Sequence, residues 1–125
     1  MKRKALTTVG LCALAVALAQ AGLRPASAHA TQQARLTTTT IKVELHGSII
    51  KMSAKTAPRG VVIFKVKNTN MYHHNFSING RRTPVLLTGQ SATLRVTFLR
   101  PGRYAYKCTL AHHAGWGQKG VFTIT

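Results

Sequence analysis

A cysteine, two adjacent histidines, a tryptophan and a glutamine fall within one glycine-punctuated stretch, CTLAHHAGWGQKG, from Cys108 to Gly120. A thiolate and an imidazole a few residues apart can be a nucleophile with its base, half of a zinc site, or two ligands of a copper ion. Composition limits what else such a set can recruit. The 125 residues carry 18 Lys plus Arg against a single acid, Glu44, for a formal net charge of +17. Carboxylate-pair hydrolysis needs two acids and is excluded, and a Ser-His-acid triad has only Glu44 to draw on. Oxygen-rich calcium and magnesium sites fail for the same reason. A thiol enzyme pairing Cys108 with His112 or His113 would have no orienting acid nearby.

The N-terminus determines how exposed that thiol is to oxidation. MKRK, the apolar run ALTTVGLCALAVALAQAGL and the small-residue exit RPASAHA form the pattern of an export signal, with cleavage expected after Ala28 or Ala30. The competing reading is an uncleaved anchor, because the run is almost long enough to span a bilayer, although Thr7, Thr8 and Gln20 weaken it. Cleavage removes Cys12 and leaves Cys108 as the one thiol of a protein in a periplasmic or other extracytoplasmic compartment, so no intramolecular disulfide is possible. A lone thiol there oxidises or crosslinks unless it is buried or bound, and metal ligation protects it. Lys2, Arg3, Lys4 and Arg24 leave with the signal, yet the mature chain stays strongly cationic.

The elements that must position the loop read as strands. In TTTTIKVELHGSIIKM, Ile41, Val43 and Leu45 alternate with Lys42, Glu44 and His46, the two-residue period of a half-buried strand. GVVIFKVKN is rich in β-branched residues and stops at the turn-prone NTN. SATLRVTF turns Ala92, Leu94, Val96 and Phe98 inward, and RPG turns the chain into RYAYKC before GVFTIT closes it. No helical period is sustained after residue 30. Short strands separated by turn signals predict an all-β, antiparallel sandwich. In RYAYKC, Tyr104, Tyr106 and Cys108 share one face and Arg103, Ala105 and Lys107 the other, so Cys108 points inward where the strand gives way to the loop. HHNFSI predicts a short strand with His74, Phe76 and Ile78 on one face and His73, Asn75 and Ser77 on the other.

From about Ile41 to Thr125 the chain resembles a small cupredoxin of the plastocyanin and azurin type, carried by VVIFKVKNTN, HHNFSI, TPVLLTGQSATLRVTF, PGRYAYKC and the late loop, in that order. The resemblance implies a Greek-key β-sandwich over 41–125; the N-terminal pattern places a signal peptide over 1–28 before it, with a short extension over 29–40 between them. The resemblance also implies one copper ion, cycling between Cu(I) and Cu(II), held by His74, Cys108 and His113. A thiolate and two imidazoles in a near-trigonal plane suit both oxidation states. Asn75 would tie the His74 segment to the Cys108 loop, with Thr109 as its partner. Where plastocyanin-like members carry Met, this chain has Gln118, separated from His113 by four residues. That spacing resembles the stellacyanin loop, in which a glutamine amide oxygen is the axial ligand. An oxygen donor there favours Cu(II) and lowers the potential; the alternative is a three-coordinate site with Gln118 facing solvent.

The functional expectation is a one-electron carrier rather than an enzyme; a copper delivery or storage protein would have much the same sequence. The family spacing selects His113 over His112. His112 and His73 are expected at the surface, Met71 as an ordinary apolar residue of its loop rather than a neighbour of the copper, and Trp116 either packs the loop or forms a docking face beside His113. The scattered cations and the export signal disfavour nucleic acid, although phosphates would attract this charge. The partners expected are redox proteins with acidic docking surfaces, or an anionic membrane surface, approached by a monomer.

Overall fold

The computed structural model describes residues 36–125, so the segment expected to be a signal peptide and Cys12 lie outside the described residues. Among the described residues nine strands form two sheets: β1 (Thr37–His46), β2 (Ile49–Met52), β3 (Thr56–Ala57), β4 (Gly60–Asn68), β5 (Ser77–Ile78), β6 (Arg81–Arg82), β7 (Ser91–Phe98), β8 (Gly102–Lys107) and β9 (Lys119–Ile124). One sheet has the order β2-β1-β4-β7 and the other β3-β9-β8-β5-β6. Among the described residues no helix is long and apolar enough to cross a membrane.

The alternation of the sequence translates directly into burial. Ile41, Val43 and Leu45 on β1 are buried, while Lys42, Glu44 and His46 between them are exposed. The central strand β4 buries Val62, Phe64 and Val66. All four phenylalanines of the chain, Phe64, Phe76, Phe98 and Phe122, are at most 1 % exposed. Phe64 is their hub, with ring centroids 5.2 Å from Phe76, 5.4 Å from Phe122 and 6.5 Å from Phe98 in tilted or edge-on geometry. Such pairs add about 0.5–1.5 kcal/mol each beyond the area they bury.

The sandwich is as expected, but its sheets are mixed. β1 pairs with β4 in parallel over nine residues, and β3 pairs with β9 in parallel. The cause is a crossing: after the β1–β2 hairpin the chain switches sheets to place β3 beside β9, then returns as β4 beside β1. Gly60 opens β4 at φ 145°, where a Cβ would strike the backbone of Thr37, so only glycine lets β1 and β4 start side by side.

HHNFSI departs further from expectation. Only Ser77 and Ile78 form a strand; His74 makes an isolated antiparallel bridge to Leu86, and His74, Asn75 and Phe76 are buried in succession. The reason lies in bonds that no strand period encodes. Asn75 turns inward to side-chain and backbone partners on the Cys108 loop, so three consecutive side chains enter the interior together.

Candidate metal centre

His74 is positioned by the loop that leaves β4. Asn68, fully buried at the end of β4, donates from Nδ2 to the carbonyls of Tyr72 and Leu86, both at 2.8 Å, and accepts the Asn70 N–H at Oδ1. His74 is pinned by its own backbone to Leu86, donating at 3.2 Å and accepting at 2.7 Å. Its ring is held from behind, since the Asn70 amide nitrogen lies 2.9 Å from His74 Nε2 and 3.0 Å from the Gly47 carbonyl. Nδ1 is thereby turned towards the second histidine.

Cys108 follows β8, buried to 1 % exposure, with its N–H donated to the Gln118 carbonyl at 2.9 Å. The loop between them winds through turns in which His113 N–H donates to Leu110 and Gln118 N–H donates to His113. Sγ of Cys108 lies 3.6 Å from His113 Nδ1, which lies 3.0 Å from His74 Nδ1. The three candidate ligand atoms fall within 4.8 Å of one another. Metal bonds of about 2.0–2.1 Å to nitrogen and about 2.3 Å to sulfur set such donors roughly 3.3–3.8 Å apart at tetrahedral to trigonal angles. The sulfur-nitrogen edge has that length already, and the nitrogen-nitrogen edge is a few tenths of an ångström short.

The expected tie between the two segments is present in both directions. Asn75 Nδ2 donates to Thr109 Oγ1 at 2.6 Å, and Thr109 N–H donates to Asn75 Oδ1 at 2.8 Å. Asn75 is 3 % exposed, so truncating it leaves the Thr109 amide without its acceptor. Asn75→Ala is expected to cost about 1–3 kcal/mol, read by chemical denaturation of the metal-free protein.

Gln118 is buried, not turned to solvent. At 1 % exposure its Nε2 donates to the carbonyls of Gly47 at 2.7 Å and Ile49 at 3.1 Å. Two carbonyl partners require the amide nitrogen there, so the orientation follows from chemistry. Oε1 is left buried with no hydrogen-bond partner. Such an orphaned acceptor costs about 1–3 kcal/mol unless something electropositive meets it. Gln118, His74 and His113 line one cavity of about 160 Å³, together with Asn70, Tyr72 and Trp116. Gly117, at φ 115°, lets the chain reach Gln118 past the Ser48 carbonyl, which a Cβ would crowd.

Among the described residues the other histidines, His46, His73 and His112, stay out of the cluster and are exposed, as is Met71. Trp116 is 66 % exposed and stacks on His113, with centroids 5.3 Å apart at 27°. Sequence reasoning missed Asn68 and Asn70, because NTN signalled only a turn, and it missed the Gly47 and Ile49 carbonyls, which have no side-chain signature at all.

Burial, then the facing charge of His113 and that of His73, hold the His74 pKa below its ordinary 6.5. A base with a lower pKa folded than unfolded binds fewer protons when folded. Its contribution to stability is complete above about pH 6.5 and is lost as pH falls through that value towards the folded pKa. The melting temperature of the metal-free protein is therefore expected to drop between pH 7 and 5, and His74→Asn should flatten that slope. An unchanged slope in the variant would remove His74 as its source.

No family model and no curated protein matches this sequence. Solved structures do. The Na-dithionite reduced auracyanin of the photosynthetic bacterium Roseiflexus castenholzii is 22 % identical with a TM-score of 0.56, the match covering 72 % of this chain and 98 % of that one. Auracyanin A, a blue copper protein of Chloroflexus aurantiacus, is 13 % identical with a TM-score of 0.58, covering 71 % of this chain and all of that one. The copper-containing nitrite reductase of Thermus scotoductus is 14 % identical with a TM-score of 0.55, over 70 % of this chain but only 28 % of the enzyme. These similarities show the fold: the chain is a β-sandwich of the cupredoxin kind.

Proposed function

We propose that this chain is an exported one-electron carrier whose copper ion is held by His74, Cys108 and His113, with Gln118 Oε1 as a weak axial donor. The observation that carries the reading is the donor set. A buried thiol and two imidazoles converge within 4.8 Å, and the cavity bordering them receives a glutamine whose oxygen has no other partner. The structural similarity to auracyanins, one of them described as a blue copper protein, supports the choice of copper over zinc. When bound, copper supplies a reversible one-electron couple.

The chain's own residues keep that exchange undemanding. Asn75 and Thr109 hold the Cys108 strand to the His74 segment, and Asn70 braces His74 from behind, so the ligands are fixed by the sandwich rather than by the ion. Small rearrangement between oxidation states favours fast exchange. No carboxylate stands by to orient an imidazole as the base of a thiol hydrolase, since the one acid, Glu44, is exposed on β1. The N-terminal pattern supports export to an extracytoplasmic compartment, and the positive charge supports an acidic partner. Voltammetry of the copper-loaded protein tests the carrier role. A reversible one-electron wave at one copper per chain is expected, and tight copper binding without reversible redox would make the protein a carrier of metal instead.

A further inference from the structure

The outer face of the five-stranded sheet carries a row of like charges that the fold itself does not require. Arg82 pairs with Ser77, Ser77 with Lys107, and Lys107 with Lys119, so one register line crosses β6, β5, β8 and β9. Cross-strand partners project from the same side of a sheet. Lys107 and Lys119 each adjoin buried residues, Cys108 and Gln118, and both stand exposed, as Arg82 does. At about 4.8 Å per strand the row spans about 14 Å. Like charges directly opposite each other on neighbouring strands destabilise a sheet, and nothing on this face relieves them. Glu44, the one acid of the sequence, belongs to the other sheet. There Lys42 also faces Lys65, but Glu44 stands two residues from Lys42, paired with Lys51 on one side and Lys67 on the other. One sheet thus tempers its lysines and the other does not.

The row runs into a cleft. Ser77, Asn79, Arg81, Arg82, Lys107 and Thr109 are among the residues lining a concavity of about 630 Å³ between the β5–β6 hairpin and β8. Thr109 is the residue that holds Asn75, and Lys107 immediately precedes Cys108, so the cleft adjoins the metal centre through the backbone.

We propose that this cleft and the Arg82, Lys107 and Lys119 row form the docking face for a carboxylate-rich surface of a partner protein; this rests on the electron-carrier reading for its purpose. Charge selects the partner: a face with several cations and no anion gains most from a surface of Asp and Glu, and its field steers the encounter. Its other chemistry disfavours the alternatives. Ala105, Val121 and Thr123 are the neutral outward positions on β8 and β9, so the face offers no aromatic platform for stacked bases. Val121 is the one exposed apolar side chain among these outward positions, without the Trp, Phe or Leu that a membrane-binding surface inserts.

The test is a titration of the nitrogen-15-labelled, copper-loaded and reduced protein with a hexaglutamate peptide at low ionic strength, followed by amide shifts. Shifts are expected at residues 77–82, 105–109 and 119–121, and Lys107→Glu with Lys119→Glu should weaken binding at least tenfold. Lys42→Glu with Lys65→Glu, on the other sheet, should leave it within twofold. Lys107→Gln with Lys119→Gln guards against misfolding, because it removes the repulsion and should fold at least as stably while still losing affinity. Equal weakening from both sheets would overturn the proposal. So would tighter binding of phosphatidylglycerol vesicles or a single-stranded oligonucleotide through the same residues. The map is read equally well on metal-free protein, so a failure of the copper reading leaves this outcome separate.

Discussion

Replacing Gln118 with methionine raises the reduction potential of the copper-loaded protein by at least about 60 mV, the shift that corresponds to a tenfold change in relative affinity for the two oxidation states of a one-electron couple. The glutamine amide is fixed by Gly47 and Ile49, which spends both N–H groups and leaves Oε1 as a hard donor held in the interior. A hard oxygen stabilises Cu(II) more than Cu(I), whereas a thioether does the reverse. The same substitution frees two backbone carbonyls, so some loss of stability accompanies the shift. Gln118→Leu removes the same oxygen and amide without supplying a thioether, so it isolates the loss of the oxygen from the gain of sulfur and should also raise the potential. A potential unchanged in both variants would mean that Gln118 is not a ligand and that its burial serves only the 47–49 turn.

Phe64→Ala is expected to lower the stability of the metal-free protein by about 3–5 kcal/mol, measured by chemical denaturation. Phe64 is fully buried on the central strand β4, where its ring meets those of Phe76, Phe98 and Phe122. The cavity left behind opens between the two sheets, and neither can collapse into it without breaking register. Because domains of this kind are held by only about 5–15 kcal/mol, such a loss is a large share of the whole. Phe76 lies two residues beyond His74, so the defect reaches the centre by packing alone. Copper should restore part of the lost stability by binding only the folded state. A cost below about 1 kcal/mol would show that the aromatic cluster is not the keystone of the sandwich.

What the sequence made legible was whatever repeats every two residues. The inward set Ile41, Val43 and Leu45 and the outward set Lys42, Glu44 and His46 could be read from alternation because one face of β1 meets the core and the other meets water. Cys108 could be placed inside by the same count along RYAYKC. Pairing between distant strands could not be read this way, since nothing in a strand's own pattern says whether its neighbour runs parallel. The parallel β1–β4 and β3–β9 contacts therefore emerge only from the path of the chain. HHNFSI misled because burial of Asn75 is set by hydrogen bonds to Thr109 rather than by a hydrophobic face.

Around the cluster the division is similar. His74, Cys108 and His113 have side chains whose chemistry announces them, and the structure brings them together. The alternative of a solvent-facing Gln118 is excluded by its burial, although only the orphaned Oε1 suggests what the residue is for. The supports behind them are backbone carbonyls and two asparagines, groups common enough in turns that their presence in NTN carries no functional signal.

The most direct test is to add one equivalent of Cu(II) to the purified protein and to Cys108→Ser, and to record visible and electron-paramagnetic spectra of both. An intense thiolate-to-copper band in the wild type, absent from Cys108→Ser, is the predicted result. A colourless wild type, or a band that survives the loss of the thiol, would contradict a copper centre built on Cys108.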